Sequence, residues 1–215
     1  LLEQSLRASH GRTIEEHTKI IGKLFSDYSK VAGAPENRND CWFGTAYSTE
    51  ELITNDSGAN RWVGRPFYRK RLNAIMNVDM SSCILIMSYG EASRLNIDPN
   101  KMVFLNGCGD AKDEKQVSRR RDLHKSPGIR AAGKEALRMA GITNPNTEID
   151  FFDVYSCFPI AVEIACDELG IDFQTLGKPL TVTGGLPFHG GPGNNYVGHS
   201  ICKMIEVLRH EKAKK

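Results

Sequence analysis

The order of apolar and polar positions divides the 215-residue chain into helix-like and strand-like stretches. Residues 13–16, Thr-Ile-Glu-Glu, form a capping box, in which the Thr13 hydroxyl serves the early amides and Glu16 reaches back to the Thr13 backbone. Ile14, Ile20, Ile21, Leu24, Phe25, Tyr28 and Val31 follow at helical spacing, so one face of this segment is directed at a core. From Gly33 to about Arg71 the pattern dissolves among Pro35, Gly44, Gly58, Gly64 and Pro66, which predicts a long, partly structured excursion. The continuous apolar run Cys83–Met87 predicts a strand buried on both faces; the helix-like GEASRLNI follows, and Met102–Leu105 reads as a second strand. Ser126 is placed as an N-cap, Pro127 at the first helical position and Gly141 at the stop of a helix. Its inner face, Ile129, Ala132, Gly133, Ala136, Leu137 and Ala140, is small enough to let it lie close to a neighbour. Residues 149–154 and 180–183 supply two further strands, with a helix over 159–170 between them. The last helix directs Val197, Ile201, Met204, Ile205 and Leu208 inward. Strands alternating with helices predict a layered α/β fold.

Composition narrows the class. Hydrophobic residues make up 40% and charged residues 25%, the balance of a soluble globular chain long enough to bury a core. A formal charge of +2 is too small to argue for a nucleic-acid partner. The six cysteines contain no C-x-x-C pair, and four lie in apolar runs, which argues against a disulfide framework or a zinc site and for an intracellular reducing compartment such as cytosol, peroxisome or mitochondrion. No metal site is expected. No stretch approaches the roughly 20 apolar residues of a membrane span, and the opening LLEQSLRASHGRT is not a signal peptide. The chain does not open with Met, which is read as the mark of a fragment.

The densest chemistry lies at residues 184–200, GGLPFHGGPGNNYVGHS, between a strand-like run and the last helix. The glycines let a backbone approach a ligand closely and adopt positive φ. No Lys follows them in the manner of a phosphate-binding loop, and the G-x-G-x-x-G pattern is absent, so a nucleotide-loop reading is weak.

Taken in order, SPG-I-RAAGKEAL, then IDFFDVYSCFPIAVEIACDELGI, then LTVTGGLPFHGGPGNNYVGHSI resemble the C-terminal half of a thiolase, most closely the acetyl-CoA acetyltransferase-like branch akin to the sterol-carrier-protein thiolases. The resemblance implies a thiolase-type layered α/β/α repeat over residues 76–215, under a helical and irregular loop region over residues 1–75. It also implies an incomplete chain: the family's first repeat, with its nucleophilic cysteine, is not found before Leu1, and its closing strands are not found after Lys215. The activity implied is acyl transfer on acyl-CoA thioesters, with coenzyme A as substrate or product and no covalently bound cofactor. This chain would supply only the C-terminal half of the site and would be inactive alone. A homodimer is implied for the full-length protein.

Thioester condensation and cleavage need a thiolate nucleophile, an acid/base, and donors for the developing oxyanion. The family's Gly-His-Pro turn reads Gly190-Gly191-Pro192 here, so its histidine is missing. The motif that reads His-Asp-Cys-Phe in the sterol-carrier branch is Tyr155-Ser156-Cys157-Phe158, which makes Cys157 the candidate acid/base. The N-terminus of the helix opening at Pro159 is expected to lower its pKa from a reference near 8.5. His189 stands two positions from the vacant histidine and is the candidate replacement, titrating near neutrality, with His199 a second choice. Gly185 and Gly191 bring backbone amides to the ligand, one of Asn194 and Asn195 serves as N-cap and the other as a carbonyl donor, and Tyr196 closes the turn.

Tyr155 and Tyr196 support a second enzyme reading, a thiolase-fold aldolase that uses phenols as acid/base and works with a small OB-fold partner protein. A third reading is a non-catalytic acyl-CoA-binding scaffold. Arg121 and Lys125 in SRRRDLHK, and the aromatic-interleaved RPFYRKR at residues 65–71, match the phosphates and adenine of coenzyme A. Each run is equally a solvated face.

Overall fold

The computed structural model describes residues 1–54 and 58–211. Helix α1 (Leu2–Ser9) leads through a glycine turn into α2 (Ile14–Gly33), whose capping box forms as the sequence requires, with Glu16 N donating to Thr13 Oγ1 at 3.2 Å and Thr13 N to Glu16 Oε2 at 2.7 Å. The buried face of α2 is Ile21, Leu24, Phe25, Tyr28 and Ala32, joined by a fully buried His17 one turn earlier. Ile14 points outward at 48% exposure. Each large apolar side chain on this face stabilises the fold by about 1.5–3 kcal/mol relative to exposure. That is more than propensity differences supply, so packing decides where α2 lies.

The excursion after α2 is ordered by a second capping box at Ser48 and Glu51, which opens α3 (Thr49–Ile53) against α2. Strands β1 (Trp62–Gly64) and β2 (Tyr68–Arg69) pair antiparallel and form the two-stranded sheet of the described residues. Helix α4 (Tyr89–Arg94) follows, then α5 (Pro127–Met139), α6 (Pro145–Glu148), α7 (Pro159–Leu169) and α8 (Tyr196–His210). Ser126 Oγ caps α5 by accepting from Ile129 N at 3.1 Å. The small residues of α5 are used as expected: a Cβ on Gly133 would fall 1.9 Å from Leu169 Cδ2 of α7. Gly107 and Gly109 pass so near α5 that a Cβ there would meet the Ala136 and Ala132 carbonyl oxygens at 2.1 and 1.9 Å.

The four expected strands do not form ladders among the described residues. Segments 149–154 and 180–183 run extended beside each other, tied by Val154 N to Leu180 O at 2.9 Å. Tyr28 reaches across from α2, its hydroxyl meeting the carbonyls of Val154 and Leu180 at 3.2 and 3.1 Å. Segments 83–87 and 102–105 are extended but uncovered, with Leu85 80%, Ile86 83% and Leu105 81% exposed. A strand requires both a hydrogen-bonding edge and an apolar layer over its side chains, and the described residues place neither on these two segments. The α8 expectation is corrected for the same reason: Val197 and Ile201 stay 56% and 42% exposed, and Tyr196 is the buried side chain of that helix. The main core joins Ile21, Phe25, Tyr28, Leu52 and Phe67 to Phe152, Val162, Cys166, Leu180 and Phe188, so α2 and the early excursion cover the turn at 184–191. Among the described residues no helix is long and apolar enough to cross a membrane.

Candidate functional site

The extended segment 149–154 ends at Asp153, and what gathers round this carboxylate builds the site. Its Oδ2 accepts from Thr181 Oγ1, Val182 N, Thr183 N and Thr183 Oγ1 at 2.9, 3.0, 3.0 and 2.9 Å. Its Oδ1 accepts from Tyr196 OH at 3.1 Å and Ser200 Oγ at 2.6 Å. One carboxylate thereby does the work of a missing strand ladder and ties segment 180–183 to the first turns of α8. The acid was not among the residues expected to matter. Its signal in the sequence is an acid, the second of Asp150 and Asp153, in an otherwise apolar strand-like segment.

The turn that follows is shaped by glycine where the geometry demands it. Gly185 has φ +79°, and a Cβ there would lie 2.4 Å from Tyr28 Cδ1 and 2.5 Å from Ser156 Oγ. Ser156 Oγ accepts from Leu186 N at 3.1 Å, which docks the turn on the 155–158 motif. Gly191 N donates to Ile75 O at 2.7 Å, so that amide is used internally and is not offered to a ligand. A histidine side chain at position 191 would also be crowded, since a Cβ meets Ile75 O at 3.0 Å.

Cys157 and Tyr155 lie at the exposed rim. Tyr155 is 48% exposed and stacks edge-on against Tyr196 with ring centroids 5.8 Å apart. The Tyr155 hydroxyl and the Cys157 thiol influence each other's protons. The Cys157 thiol is raised above its ordinary pKa because burial outweighs the Phe158 amide and the Tyr155 hydroxyl, which both lower it. The expected lowering by the helix N-terminus is thus present but loses to desolvation, and the thiol is protonated at neutral pH. Burial also raises the phenols, that of Tyr155 at the rim and that of the enclosed Tyr196, which Asp153 raises further and which stands well beyond its ordinary range.

His189 is not the solvated imidazole the sequence allows. It is 6% exposed, and burial together with neighbouring His199 lowers its pKa to about 4, so it does not titrate near neutrality. Its ring stands 5.2 Å from the His199 ring and 6.4 Å from that of Tyr196. The Nε2 atoms of His189 and His199 are both buried without a partner. Cys41 Sγ approaches His189 Nδ1 at 3.7 Å, from a strap that nothing in the sequence pattern connects to this turn.

The two asparagines divide differently from expectation. Asn195 holds the N-cap position of α8 but makes no side-chain cap, and its Oδ1 accepts from Ser82 Oγ at 2.9 Å. Asn194 is exposed. Arg121 and Lys125 are exposed and hydrogen-bond to no residue of the cluster, so the structure does not bring them into it. A cavity of about 520 Å³ lies between α2 and residues 173–180 and includes none of the expected site residues. A smaller one of about 180 Å³ backs the glycine turn, lined by Phe43, Tyr47, Lys70, Arg71, Ile75 and Phe188 among others.

A buried cluster of Glu3, His17 and Glu163 has the donor set of a metal site, but its hydrogen bonding does not fit a cation. Arg12 Nη1 sits 2.5 Å from Glu163 Oε2 and 3.2 Å from His17 Nδ1. With Arg12 as donor, His17 must accept at Nδ1 and carry its proton on Nε2, which faces Glu3 Oε1 at 2.6 Å. A metal at Nε2 would force two donors against each other at Nδ1. The cluster is better satisfied as an ion-paired clamp, completed by Tyr68 donating to Glu3, that joins α1, α2 and α7 under the Cys157 turn.

A family model described as "Thiolase C-terminal domain-like" matches residues 109–211. No curated protein sequence is a match. Among solved structures, the chain superposes on a monomeric SCP2-thiolase like protein type 1 (STLP1) from Mycobacterium smegmatis with TM-score 0.82 and 33% sequence identity. The match covers 100% of this chain and 45% of that one, so this chain spans less than half of its neighbour's length. That neighbour is monomeric and lends no support to the homodimer implied by the sequence resemblance. The fold is of the thiolase α/β type, and the chain belongs to the thiolase superfamily, in its SCP2-thiolase-like branch.

Proposed function

We propose that this chain provides the acid/base half of a site that makes or breaks a carbon–carbon bond next to the thioester of an acyl-CoA, in a thiolase-like acyltransferase. The observation that carries this reading is the half-buried Cys157 thiol, kept protonated by burial, beside the half-exposed Tyr155 phenol at the rim of the glycine turn. A thiol kept protonated is a proton donor. In the cleavage direction the carbon–carbon bond breaks, its electron pair passes into the enolate of the departing acyl-CoA, and Cys157 protonates that carbon. The thiolate then recovers a proton from the incoming coenzyme A thiol. The nucleophile that accepts the acyl group is not among the residues gathered at this turn, so the chain alone is inactive in this reading. Coenzyme A is substrate and product.

A second reading is favoured by one contact, the edge-on pair of Tyr155 and Tyr196. In this reading the half-exposed Tyr155 phenol, backed by the Tyr196 ring, serves retro-aldol cleavage of a β-hydroxyacyl-CoA, in which no acyl-enzyme forms and an OB-fold protein would be the partner. A homodimer and a non-catalytic acyl-CoA scaffold complete the proposals.

The test uses protein made from the complete reading frame. It is mixed with acetoacetyl-CoA and coenzyme A, and separately with a β-hydroxyacyl-CoA, while intact-mass spectrometry follows the protein. Acetyl-CoA release with a transient mass increase equal to an acyl group supports acyl transfer. Aldehyde or ketone release with no mass increase moves the assignment to the aldolase. No turnover on either substrate, with acyl-CoA binding retained, leaves the scaffold.

A further inference from the structure

We propose that Cys41 is a positioning residue that fixes His189 as its Nδ1–H tautomer and leaves the Nε2 lone pair as the proton acceptor of the site. The inference rests on the acyl-CoA reading above for its catalytic meaning and on geometry alone for the tautomer.

Cys41 begins a strap over residues 41–45 that is hydrogen-bonded to the peptide carrying the histidine: Trp42 N donates to His189 O at 2.9 Å and Phe43 N to Phe188 O at 2.8 Å. The strap therefore fixes the sulfur relative to the ring. The sulfur has one hydrogen and two polar neighbours, Thr183 O at 3.3 Å and His189 Nδ1 at 3.7 Å. Thr183 O is the nearer of the two and can only accept, whereas Nδ1 can donate, so the S–H is directed to Thr183 O. What the sulfur then offers His189 is a lone pair, and that contact is attractive only if Nδ1 carries the hydrogen.

A neutral imidazole carries one N–H. Burial keeps His189 neutral, so Nε2 has none. This nitrogen is buried without a partner. The charged and titratable groups around the ring are His199 and Lys203 of α8, Asp153, Asp40 and Cys41, with Tyr196 edge-on to it. An oxyanion needs a donor, and this tautomer has none to give at Nε2. The group that His189 handles is therefore one with a proton to lose, a hydroxyl or a thiol of the substrate. That replaces the oxyanion-donor role implied by its place beside the vacant histidine position.

The tautomer is read directly in histidine-labelled (¹⁵N) protein by two-bond ¹H–¹⁵N correlation at pH 7, with His189→Gln identifying the ring. The expected spectrum shows a protonated Nδ1 and an unprotonated Nε2. Cys41→Val, which removes both roles of the sulfur, should move the ring to Nε2–H or to an averaged pair. Cys41→Ser, whose hydroxyl can donate to Thr183 and accept from Nδ1, should keep Nδ1–H. A wild-type ring protonated on Nε2 overturns the proposal, as does an unchanged tautomer in Cys41→Val. If Cys41→Val does not fold, the wild-type and Cys41→Ser spectra still decide it. In the complete protein, Cys41→Val is expected to lower kcat about tenfold or more with KM little changed. A tautomer that shifts while kcat holds would leave the positioning intact and remove His189 from the chemistry, which separates failure of this inference from failure of the functional reading.

Discussion

Replacing Asp153 with Ala withdraws the acceptor from six hydrogen bonds, two from backbone amides and four from hydroxyls. A hydrogen bond to a charged acceptor contributes about 1.5–3 kcal/mol, but six that share one carboxylate do not add, and this residue is only partly buried. The hydroxyls of Thr181, Thr183, Tyr196 and Ser200 can turn to water or to one another, as Thr181 and Thr183 already do at 3.2 Å. The amides of Val182 and Thr183 cannot. The expected loss is about 3 kcal/mol, which for a urea dependence of about 2–3 kcal/mol/M shifts the midpoint by about 1–1.5 M. Asp153→Asn is the informative control. Its amide oxygen can still accept from the two backbone amides, while its NH₂ must face Tyr196 and Ser200, whose hydroxyls can reverse and accept. It should lose about half as much. Urea unfolding followed by far-ultraviolet circular dichroism measures both variants. Equal losses, or a loss below about 0.5 kcal/mol for the alanine variant, would refute the view that Asp153 stands in for strand pairing.

Three further outcomes are expected. Gly185→Ala should destabilise by at least 2 kcal/mol more than Gly11→Ala, about the cost of a clash added to backbone strain. Both positions have positive φ, but at Gly11 nothing lies within 4 Å of the added Cβ; equal melting temperatures would contradict the close packing on Tyr28 and Ser156. The His189 pKa is depressed to about 4 from an unfolded value of about 6.5, so the unfolded chain takes up the proton first as pH falls. The associated stability is whole above about pH 6.5 and is lost progressively toward pH 4, on the order of 3 kcal/mol, and the stability difference between wild type and His189→Gln should follow that course. A difference constant over that range would place His189 in water. In the complete protein, Cys157→Ala should cut turnover about 100-fold with the fold intact, whereas an unchanged rate would return Cys157 to a packing role.

The helical part of the fold was legible in the sequence because helix signals are local. The Thr13–Glu16 box and the Ser126–Pro127 start formed as read, each resting on neighbours within a few positions, whereas the apolar face of α5 meets α7 closely at Gly133 but leaves Ile129 exposed. The strands were not legible in the same way. An apolar run says that a segment can be buried, but a strand exists only through a partner edge, and segments 83–87 and 102–105 lie extended without one among the described residues. His17 shows the converse. A histidine in helical register with Ile21, Leu24 and Tyr28 is a core position, and it is fully buried because Glu3 and Arg12 satisfy its two ring nitrogens from two other segments.

At the site, the family motif located Tyr155, Cys157 and the glycine turn, since the chain order carries those positions. Residue type alone misjudged their electrostatics. A cysteine before a helix N-terminus is expected to have a lowered pKa, and the Phe158 amide does lower it, yet burial of the thiol is larger and sets the sign. The same substitution of environment for identity takes His189 from an imidazole that titrates near neutrality to one that stays neutral. What remained invisible were contacts between distant segments: Cys41 lies 148 positions from His189, and Ser82 lies 113 positions from Asn195. These pairs have no periodicity, and their meaning depends on where one hydrogen points. If the Cys41 hydrogen is on the Thr183 side, His189 is a base and the protonated Cys157 is its complement across the turn, one group taking a proton while the other gives one. Burial raises the thiols of Cys41 and Cys157 and lowers the imidazole of His189, so all three groups are neutral before a substrate arrives.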